Sequence, residues 1–525
     1  MGKKKQMRSE VKGNVKNSIG RIAFAALAVL LQIGWILILM IKLYQYSSVI
    51  SLLTSLFALV VALRIYGKHT NAAFKMPWII VILAFPVFGL CIYGLFGHKE
   101  AMHKIIRKFE DVDAQLIPLN VQDETILQQL EQEDPLLANQ CHYIWKYGNY
   151  PVYDTTAVKF YPEAYLGYEE QLKELEKAKH FIFLEYHAVE EAEAFARLKD
   201  VLARKAAEGV EVRILYDDVG CIGFLDKSFI DRMNAIGVQC RVFNYVVPFL
   251  NIFMNNRDHR KIMVIDGKVG FTGGYNLADE YFNITHPYGY WKDTGVKLTG
   301  RAVQNFTMMF LEMWNVMGQA DTDYEKYLKA SQEGVEDGNV QKASGYVQPY
   351  ADSPLDGEPV GENVYLNLIK TAKKRLYVAT PYLIISDEMT RELGLAAKRG
   401  VDVRVFTPGI PDKKVIYGVT RSYYSGLRQG VRIYEYTPGF LHAKQMLCDE
   451  DTATVGTINM DYRSLYHHFE NGVWMHGCDA IRDIEADFDK LLQDSEEVTD
   501  KYRDGRKNMA VRGWQCIMRL IAPLL

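Results

Sequence analysis

Apolar residues are concentrated in three long segments within the first hundred residues. The first segment, 22–41, contains no charged side chain, and neither do the second, 46–63, and the third, 76–97. About 20 residues at a helical rise of about 1.5 Å match a hydrocarbon core about 30 Å thick, so the pattern predicts transmembrane helices. Residues 1–97 are therefore predicted to form an N-terminal membrane anchor.

The charges beside these segments bear on how the anchor is oriented. Residues 1–21 carry seven Lys or Arg side chains against the single acid Glu10, which places this end on the cytoplasmic side. Pro86 lies in the middle of the third segment, and basic residues follow that segment immediately. Two alternatives stay open for the third segment: it spans the membrane, or it re-enters and returns the chain to the cytoplasm.

The rest of the chain contains an internal repeat. "LARKAAEGVEVRIL" at 202–215 resembles "LGLAAKRGVDVRVF" at 393–406, and each combines a helical pattern, a glycine stop and an apolar strand. Upstream, "AKHFIFLEY" at 178–186 corresponds to "AKKRLYVAT" at 372–380. Strands that alternate with helices indicate an α/β domain, and the repeat predicts that this domain is present twice.

These patterns predict the organisation of the whole chain. The expected regions are an anchor over 1–97, a linker over 98–135, a first α/β domain over 136–320, a linker over 321–345 and a second α/β domain over 346–525. The terminal stretch "GWQCIMRLIAPLL" is amphipathic, and it either lies on the membrane surface or packs as a final core element.

Composition excludes some classes of function. The 525 residues contain 61 Lys and Arg against 64 Asp and Glu, for a net charge of −3. This balance argues against a protein that coats nucleic acid, which requires a large basic surplus. The seven cysteines are scattered without a CxxC pair, so we interpret them as free thiols and not as zinc ligands.

Each copy of the repeat carries the same chemical pattern, HxKxxxxD. It consists of His259, Lys261 and Asp266 in the first copy and of His442, Lys444 and Asp449 in the second. In both copies a glycine follows 14 residues after the histidine (Gly273 and Gly456), and an asparagine follows 17 residues after it (Asn276 and Asn459). The matched downstream residues make chance coincidence a poor explanation.

The spacing suits phosphoryl chemistry. Residues i and i+2 of a strand share a face, so each histidine emerges beside its lysine. If the copies pack about a pseudo-twofold axis, two imidazoles and two ammonium groups converge on one phosphorus. The lysines, with Asn276 and Asn459, would bind the non-bridging oxygens, while one imidazole attacks phosphorus and the other transfers a proton. We expect no metal and no cofactor, since a lysine beside each histidine disfavours a divalent cation.

Two features are less decisive. Asp266 and Asp449 each precede a turn, so a structural role in closing a hairpin competes with a catalytic one. The pair His467–His468 lies near Glu470, but adjacent strand residues point to opposite faces, and we do not interpret the pair as a metal site.

At these residues the sequence resembles the phospholipase D superfamily and, within it, the bacterial cardiolipin synthases. The resemblance rests on the duplicated HxKxxxxD, on stretches such as "HRKIMVIDGKVGFTGGYNLADEY" and "TPGIPDKKVIYGVTRSYY", and on the apolar N-terminal region. It covers about 45–525. The resemblance implies two tandem phospholipase D-like α/β domains that form a pseudo-twofold catalytic unit. N-terminal transmembrane helices would precede this unit along the chain.

The resemblance also implies an activity: transfer of a phosphatidyl group between two phosphatidylglycerol molecules, giving cardiolipin and glycerol. The six HxKxxxxD residues would form the catalytic set, with His259 as nucleophile and His442 as general acid and base. Glu470 would orient His259, and Asp293 would orient His442, each from the opposite half. The family implies a multi-pass enzyme of the bacterial plasma membrane whose partners are phosphatidylglycerol and the bilayer, not nucleic acid; self-association stays open.

Two other functions use the same residues. A phospholipase D-type hydrolase differs only in using water as the acceptor, a choice that depends on how dry the site is and how it binds the alcohol. A nuclease of the superfamily is disfavoured by the near-neutral charge and the apolar N-terminal region.

Overall fold

A computed structural model describes residues 27, 30–35, 37–38, 41–42, 48–97, 103–245, 256–321, 323–329, 344–427, 430–503 and 509–524. The chain divides into two compact units. One unit contains residues 1–107, 246–255 and 507–525, and the other contains 108–245 and 256–506. The two α/β halves therefore belong to a single unit, whereas the C-terminal residues group with the N-terminal ones.

The N-terminal helices of the first unit are α1 (Ser48–Tyr66), α2 (Ala72–Ala84) and α3 (Pro86–Phe96). The chain leaves helical geometry at Phe85, because a residue before proline is disfavoured in the α conformation. A Cβ on Gly89 would lie 2.5 Å from the Cα of Ile82, so α2 and α3 approach each other at backbone contact. The third predicted apolar segment thus forms two packed helices and not one continuous helix.

The membrane prediction is only partly covered by the structure. Of the first apolar segment, 22–41, the structure describes residues 27, 30–35, 37–38 and 41, so that prediction lies largely outside the described residues. Among the described parts of the chain, no helix has both the length and the hydropathy needed to cross a bilayer.

The second unit, which begins at residue 108, contains most of α4 (His103–Leu116) and all of α5 (Glu124–Glu133) and α6 (Pro135–Gly148). Asp123 and Asp134 cap α5 and α6, and Pro135 occupies the first turn of α6, where its missing N–H costs nothing. Both helices contribute buried side chains to the core of the second half, including Leu130 and Ile144. Residues of the predicted 98–135 linker and the start of the predicted first domain therefore pack with the second half.

The first half is built on a seven-stranded sheet. Its elements are β1 (Thr156–Tyr161), α7 (Ala164–Leu175), β2 (Phe181–Tyr186), α8 (Glu193–Ala207), β3 (Glu211–Asp217), α9 (Asp218–Cys221), α10 (Phe229–Ala235), β4 (Val238–Phe243), β5 (Arg257–Asp258), β6 (Lys261–Ile265), β7 (Val269–Gly273), β8 (Tyr290–Lys292), β9 (Gly295–Gly300) and α11 (Val303–Val316). The strand order is β1-β9-β7-β6-β2-β3-β4, with β2, β3 and β4 parallel and β6 antiparallel to β2.

The second half repeats this plan. Its elements are β10 (Tyr346–Asp352), α12 (Val360–Thr371), β11 (Arg375–Ala379), β12 (Leu383–Ile384), α13 (Asp387–Lys398), β13 (Asp402–Pro408), α14 (Lys414–Leu427), β14 (Arg432–Tyr436), β15 (Gly439–Leu441), β16 (Gln445–Cys448), β17 (Thr452–Gly456), β18 (Met460–Asp461), α15 (Tyr462–Tyr466), β19 (His468–His476), α16 (Ala480–Gln493), β20 (Ser495–Glu497) and α17 (Thr499–Arg503). The sheet order is β10-β19-β17-β16-β11-β13-β14-β20, with β5 added to β19.

The repeated glycines explain why the two halves match locally. Gly209 and Gly400 follow α8 and α13 with φ of 93° and 96°, a left-handed conformation that ends each helix and turns the chain into the next strand. The predicted tandem α/β fold is therefore confirmed. All seven cysteine side chains are free.

The C-terminal helix, α18 (Met509–Ile521), belongs to the first unit, where it lies against α2. Met518 is buried, whereas Trp514 and Ile517 are exposed. The sequence placed these residues in the second α/β domain and left two roles open for them. The structure places this segment against the N-terminal helix α2, where Met518 is buried.

Candidate active site

Two short parallel strand pairs join the halves and place the two histidines. In one pair β5 adds to β19, and the backbone N–H of His259 donates to the carbonyl of Phe469 at 2.8 Å. In the other, β8 pairs with β15, and the N–H of His442 donates to the carbonyl of Lys292 at 2.7 Å. Each histidine therefore lies beside the strand residue that precedes an acid of the opposite half.

That arrangement produces two crossed hydrogen bonds. The Nδ1 atom of His259 lies 2.9 Å from a carboxylate oxygen of Glu470, and Nδ1 of His442 lies 2.7 Å from Oδ2 of Asp293. Both acids are fully buried. A carboxylate acceptor at Nδ1 fixes the proton on that atom and leaves Nε2 available for chemistry.

The two lysines lie beside the histidines. Lys261 donates from Nζ to the carbonyl of His259 at 2.6 Å, and Lys444 donates in the same way to the carbonyl of His442. Both lysine residues are 1% exposed. Each lysine also acts electrostatically on the histidine of the other half, so the four side chains share one site.

Burial determines the charge state of this site. It lowers the pKa of His259 well below the usual value, and the positive charge of Lys261 acts in the same direction. Burial, then Lys444, lowers the pKa of His442 to about 4. Burial also lowers the pKa of Lys261 to about 8 and that of Lys444 to about 7. At neutral pH both imidazoles are neutral, the state required of a nitrogen nucleophile.

The two predicted asparagines have different surroundings. Asn276 accepts a hydrogen bond from the N–H of Ala188 and donates to the hydroxyl of Tyr281 at 2.8 Å. Asn459 is 4% exposed, and its Oδ1 has no hydrogen-bond partner among the residues that the structure describes. Asn276 is therefore already engaged, whereas Asn459 keeps a free acceptor.

The structure does not bring Asp266 and Asp449 to the histidines. Each follows the far end of its strand, at positive φ, and its carboxylate accepts hydrogen bonds from three successive backbone N–H groups. For Asp266 the donors are residues 179–181, and for Asp449 they are residues 373–375. The two carboxylates therefore make the contacts expected of the structural alternative, since each holds the segment that precedes β2 or β11. A catalytic role for the pair stays a prediction.

The glycines that follow the histidines are required by close packing. A Cβ at Gly273 would lie 2.5 Å from the carbonyl oxygen of Thr294, and one at Gly456 would lie 2.4 Å from that of Asn471. The next residue differs between halves. At Gly274 a Cβ would lie 2.0 Å from Oδ1 of Asp293, whereas Thr457 is accommodated and donates its hydroxyl to Glu470.

Two further histidines lie beside His259: His187, which the sequence analysis missed, and His468, which it named but gave no role. The ring of His187, at the end of β2, lies 4.9 Å from the His259 ring, and that of His468 lies 5.3 Å from it. The Nδ1 atom of His468 is 3.3 Å from Glu470. The i, i+2 spacing of His468 and Glu470 was the available signal, since it places both on one face of β19.

His442 has aromatic neighbours instead. The ring of Trp291 lies 5.2 Å from the imidazole, that of Tyr281 5.4 Å and that of Phe440 5.7 Å. The two histidines therefore share their chemistry but not their surroundings.

Comparison with known proteins places this geometry in a family. The family model described as "Cardiolipin synthase, PLD-like domain" matches residues 172–314 and 365–492, which are the two halves of the catalytic unit. The chain belongs to this family. A second model, described as "Phospholipase D-nuclease N-terminal", matches residues 54–98.

Individual relatives cover most of the chain. A cardiolipin synthase of Geobacillus sp. is 34% identical over 482 residues, which are 91% of this chain and 94% of the relative. Cardiolipin synthase 2 of Bacillus anthracis is 34% identical over 89% of this chain and 90% of its own length. An uncharacterized protein of Streptococcus mutans is 42% identical over 86% of this chain and 96% of its own length.

A solved structure shares the fold. The phosphatidylserine synthase of Haemophilus influenzae matches with a TM-score of 0.53 at 13% identity, over 70% of this chain and 95% of that chain. At this identity the likeness supports the tandem α/β architecture alone.

Proposed function

We propose that this protein is a cardiolipin synthase that transfers a phosphatidyl group from one phosphatidylglycerol to another and releases glycerol. The observation that carries the proposal is the pair of crossed hydrogen bonds, His259 to Glu470 and His442 to Asp293, with a lysine beside each histidine. Membership of the cardiolipin synthase family and the names of the relatives supply the substrate class.

In the proposed first step, Nε2 of His259 attacks the phosphorus of a bound phosphatidylglycerol. A nitrogen–phosphorus bond forms, the bond from phosphorus to the glycerol oxygen breaks, and that oxygen takes a proton from Nε2 of His442. The negative charge of the bound phosphodiester raises the pKa of His442, so His442 binds a proton and can act as the acid. Lys261 and Lys444 offset the charge on the non-bridging oxygens.

The second step reverses these transfers with a new alcohol. The glycerol hydroxyl of a second phosphatidylglycerol gives its proton to His442 and attacks phosphorus, and the nitrogen–phosphorus bond breaks to release cardiolipin. The free Oδ1 of Asn459 is available to accept a hydrogen bond from this hydroxyl or from the departing one. Water in the same position would instead give phosphatidic acid.

The decisive experiment supplies the purified full-length chain with vesicles of labelled phosphatidylglycerol and quantifies the products by lipid mass spectrometry. We expect cardiolipin and glycerol in equal amounts. Release of glycerol with phosphatidic acid and without cardiolipin would assign a hydrolase and reject the transferase.

We also propose that the first unit holds the enzyme at the bacterial plasma membrane. Several large apolar side chains of α1 and α2 are more than 40% exposed, among them Leu53, Phe57, Val60, Met76 and Ile80. Such a surface requires an apolar environment. Membrane fractions washed with alkaline carbonate should retain the chain, and protease added to sealed vesicles would show how many times it crosses; recovery in the wash would reject the proposal.

A further inference from the structure

The repeat differs at one position beside the catalytic acids. Glu470 in "FENGV" corresponds to Asp293 in "KDTGV", so His468, two residues before Glu470, corresponds to Trp291. One half therefore places a histidine where the other half places an indole. Since both positions lie on the strand that carries the acid, the substitution changes which groups surround that acid.

The added histidine completes a cluster of three ligand groups. One ring nitrogen of His259, one of His468 and a carboxylate oxygen of Glu470 all lie within 4.8 Å of one another. The separations to the carboxylate are 2.9 Å from His259 and 3.3 Å from His468, both measured at Nδ1. The three residues are held by β19 and by the backbone bond from His259 to Phe469, so they belong to one rigid frame.

We propose that His259, His468 and Glu470 form an inhibitory site for zinc and for similar transition-metal ions. Two imidazoles and one carboxylate are a donor set that tetrahedral zinc uses, with the fourth position left for water or a substrate oxygen. Because the three ligand atoms already lie this close together, only small movements of the side chains are needed for all three to bind one ion. Within the described parts of the chain, the equivalent place in the other half has one histidine, His442, and does not offer this set.

The neighbouring lysines make the site selective. Lys261 and Lys444 repel any divalent cation, and this cost applies equally to magnesium and zinc. Only an ion that binds imidazole nitrogen strongly gains enough binding free energy to offset this repulsion. Magnesium does not, because it prefers oxygen ligands and keeps its water. We therefore expect zinc to bind in the presence of excess magnesium.

The inhibitory effect rests on the proposed function. An ion on Nδ1 of His259 displaces the proton that Nδ1 donates to Glu470, and in the neutral ring that proton moves to Nε2. The nitrogen that would attack phosphorus then has no free lone pair, and the hydrogen bond that orients the imidazole is lost. The ion also offers a competing ligand position to the lipid phosphate.

The test uses the untagged full-length chain in detergent and zinc chloride as the probe. Binding is measured by competition with a chromophoric chelator in excess magnesium, for the wild type, His468→Gln and His476→Gln. Glutamine keeps a hydrogen-bond donor near Glu470 but is a poor zinc ligand. His476 lies at the other end of β19, beside Thr452 and Asp451, and serves as the matched control.

We expect one zinc ion to bind the wild type and the His476→Gln variant, and its affinity to fall at least about tenfold in His468→Gln. Equal affinity in all three proteins would overturn the site. X-ray absorption at the zinc edge of the wild type gives an answer that does not depend on any variant folding: two imidazoles support the site, and one or none rejects it.

Activity assays separate this inference from the proposed function. Zinc should reduce cardiolipin formation at least about tenfold in the wild type, and a chelator should restore it, while His468→Gln should require at least about tenfold more zinc for the same reduction. Binding without any cardiolipin activity in metal-free buffer would leave the site standing and reject the proposed function. Binding that leaves the rate unchanged would overturn the inhibitory role.

Discussion

The two histidines of the catalytic unit have the same partners but different neighbourhoods. Each has a buried acid from the other half at Nδ1 and a lysine on its own carbonyl. Around His259 the neighbours are two further imidazoles, whereas around His442 they are Trp291, Tyr281 and Phe440. Duplication thus kept the groups that do the chemistry and let their surroundings diverge.

This difference bears on the division of labour. We propose that the aromatic side chains around His442 limit the access of water to the proposed proton carrier, which would favour transfer over hydrolysis. His259 sits among polar imidazoles instead. Because both rings are neutral at neutral pH, these neighbours, and not the charge state, distinguish His259 from His442. We therefore propose that the asymmetry, and not the repeated pattern, assigns the nucleophile.

The largest effects are expected when each of the two imidazoles is removed in turn. We expect His259→Ala and His442→Ala each to lower cardiolipin formation by about 10³-fold or more, because one removes the proposed nucleophile and the other the proposed proton carrier. Phosphorus-labelled substrate distinguishes them. His442→Ala keeps the nucleophile and should still acquire label on the protein, although slowly because it lacks the acid for the leaving glycerol, whereas His259→Ala should acquire none. Label on the His259→Ala protein would reverse the assignment.

The crossed acids give the next largest effect. Glu470→Gln and Asp293→Asn keep the shape of each side chain but present an amide to Nδ1, and we expect each to lower the rate by about 10²- to 10⁴-fold. Circular dichroism serves as the control for folding. A loss in only one of the two variants would show that only one imidazole needs its acid.

Gly274 and Thr457 occupy equivalent positions in the two halves, but only the position of Thr457 has room for a side chain. We expect Gly274→Ala to lower the rate by about 10²-fold, because its Cβ would displace Asp293; such a displacement of a catalytic group is costly. Thr457→Ser keeps the hydroxyl that Glu470 accepts from, and its rate should stay within about threefold of the wild type. An active Gly274→Ala enzyme would show that Asp293 has more room than the structure gives it.

Asp266→Asn and Asp449→Asn test the structural role of the last residue in each repeated pattern. Asparagine tolerates the positive φ of these positions, so each variant isolates the loss of the carboxylate acceptor. We expect each to lower the free energy of unfolding by about 1–3 kcal/mol. The rate at low temperature should remain within about threefold, measured after the folded fraction is determined; a 10²-fold loss in fully folded protein would restore a catalytic role.

Removing metal ions should have the smallest effect. The proposed steps use imidazole, ammonium and carboxylate groups only, so cardiolipin formation should persist in EDTA. Loss of activity with rescue by one divalent metal would contradict this mechanism for both halves.

Much of the fold could be predicted because its signals are local. The glycines at 209 and 400, which end equivalent helices, and the apolar strands that follow them reveal the repeat without any knowledge of contacts. The boundaries were harder: α5 and α6 precede the first half along the chain but bury Leu130 and Ile144 in the core of the second. A helix with one apolar face does not encode which of two similar cores it covers.

The sequence by itself determined that each histidine is followed two residues later by a lysine, and strand periodicity predicted that the two share a face. In the structure His259, His442 and Lys444 lie in the short connections between strands, and each lysine meets its histidine at the backbone carbonyl. Only the tertiary structure decided three things: that Asp266 and Asp449 bind backbone N–H groups away from the site, that His187 and His468 surround one imidazole, and that aromatic rings surround the other. The reason is physical: strand periodicity is a property of neighbouring residues, whereas the environment of a buried side chain depends on segments that meet only after the chain has folded.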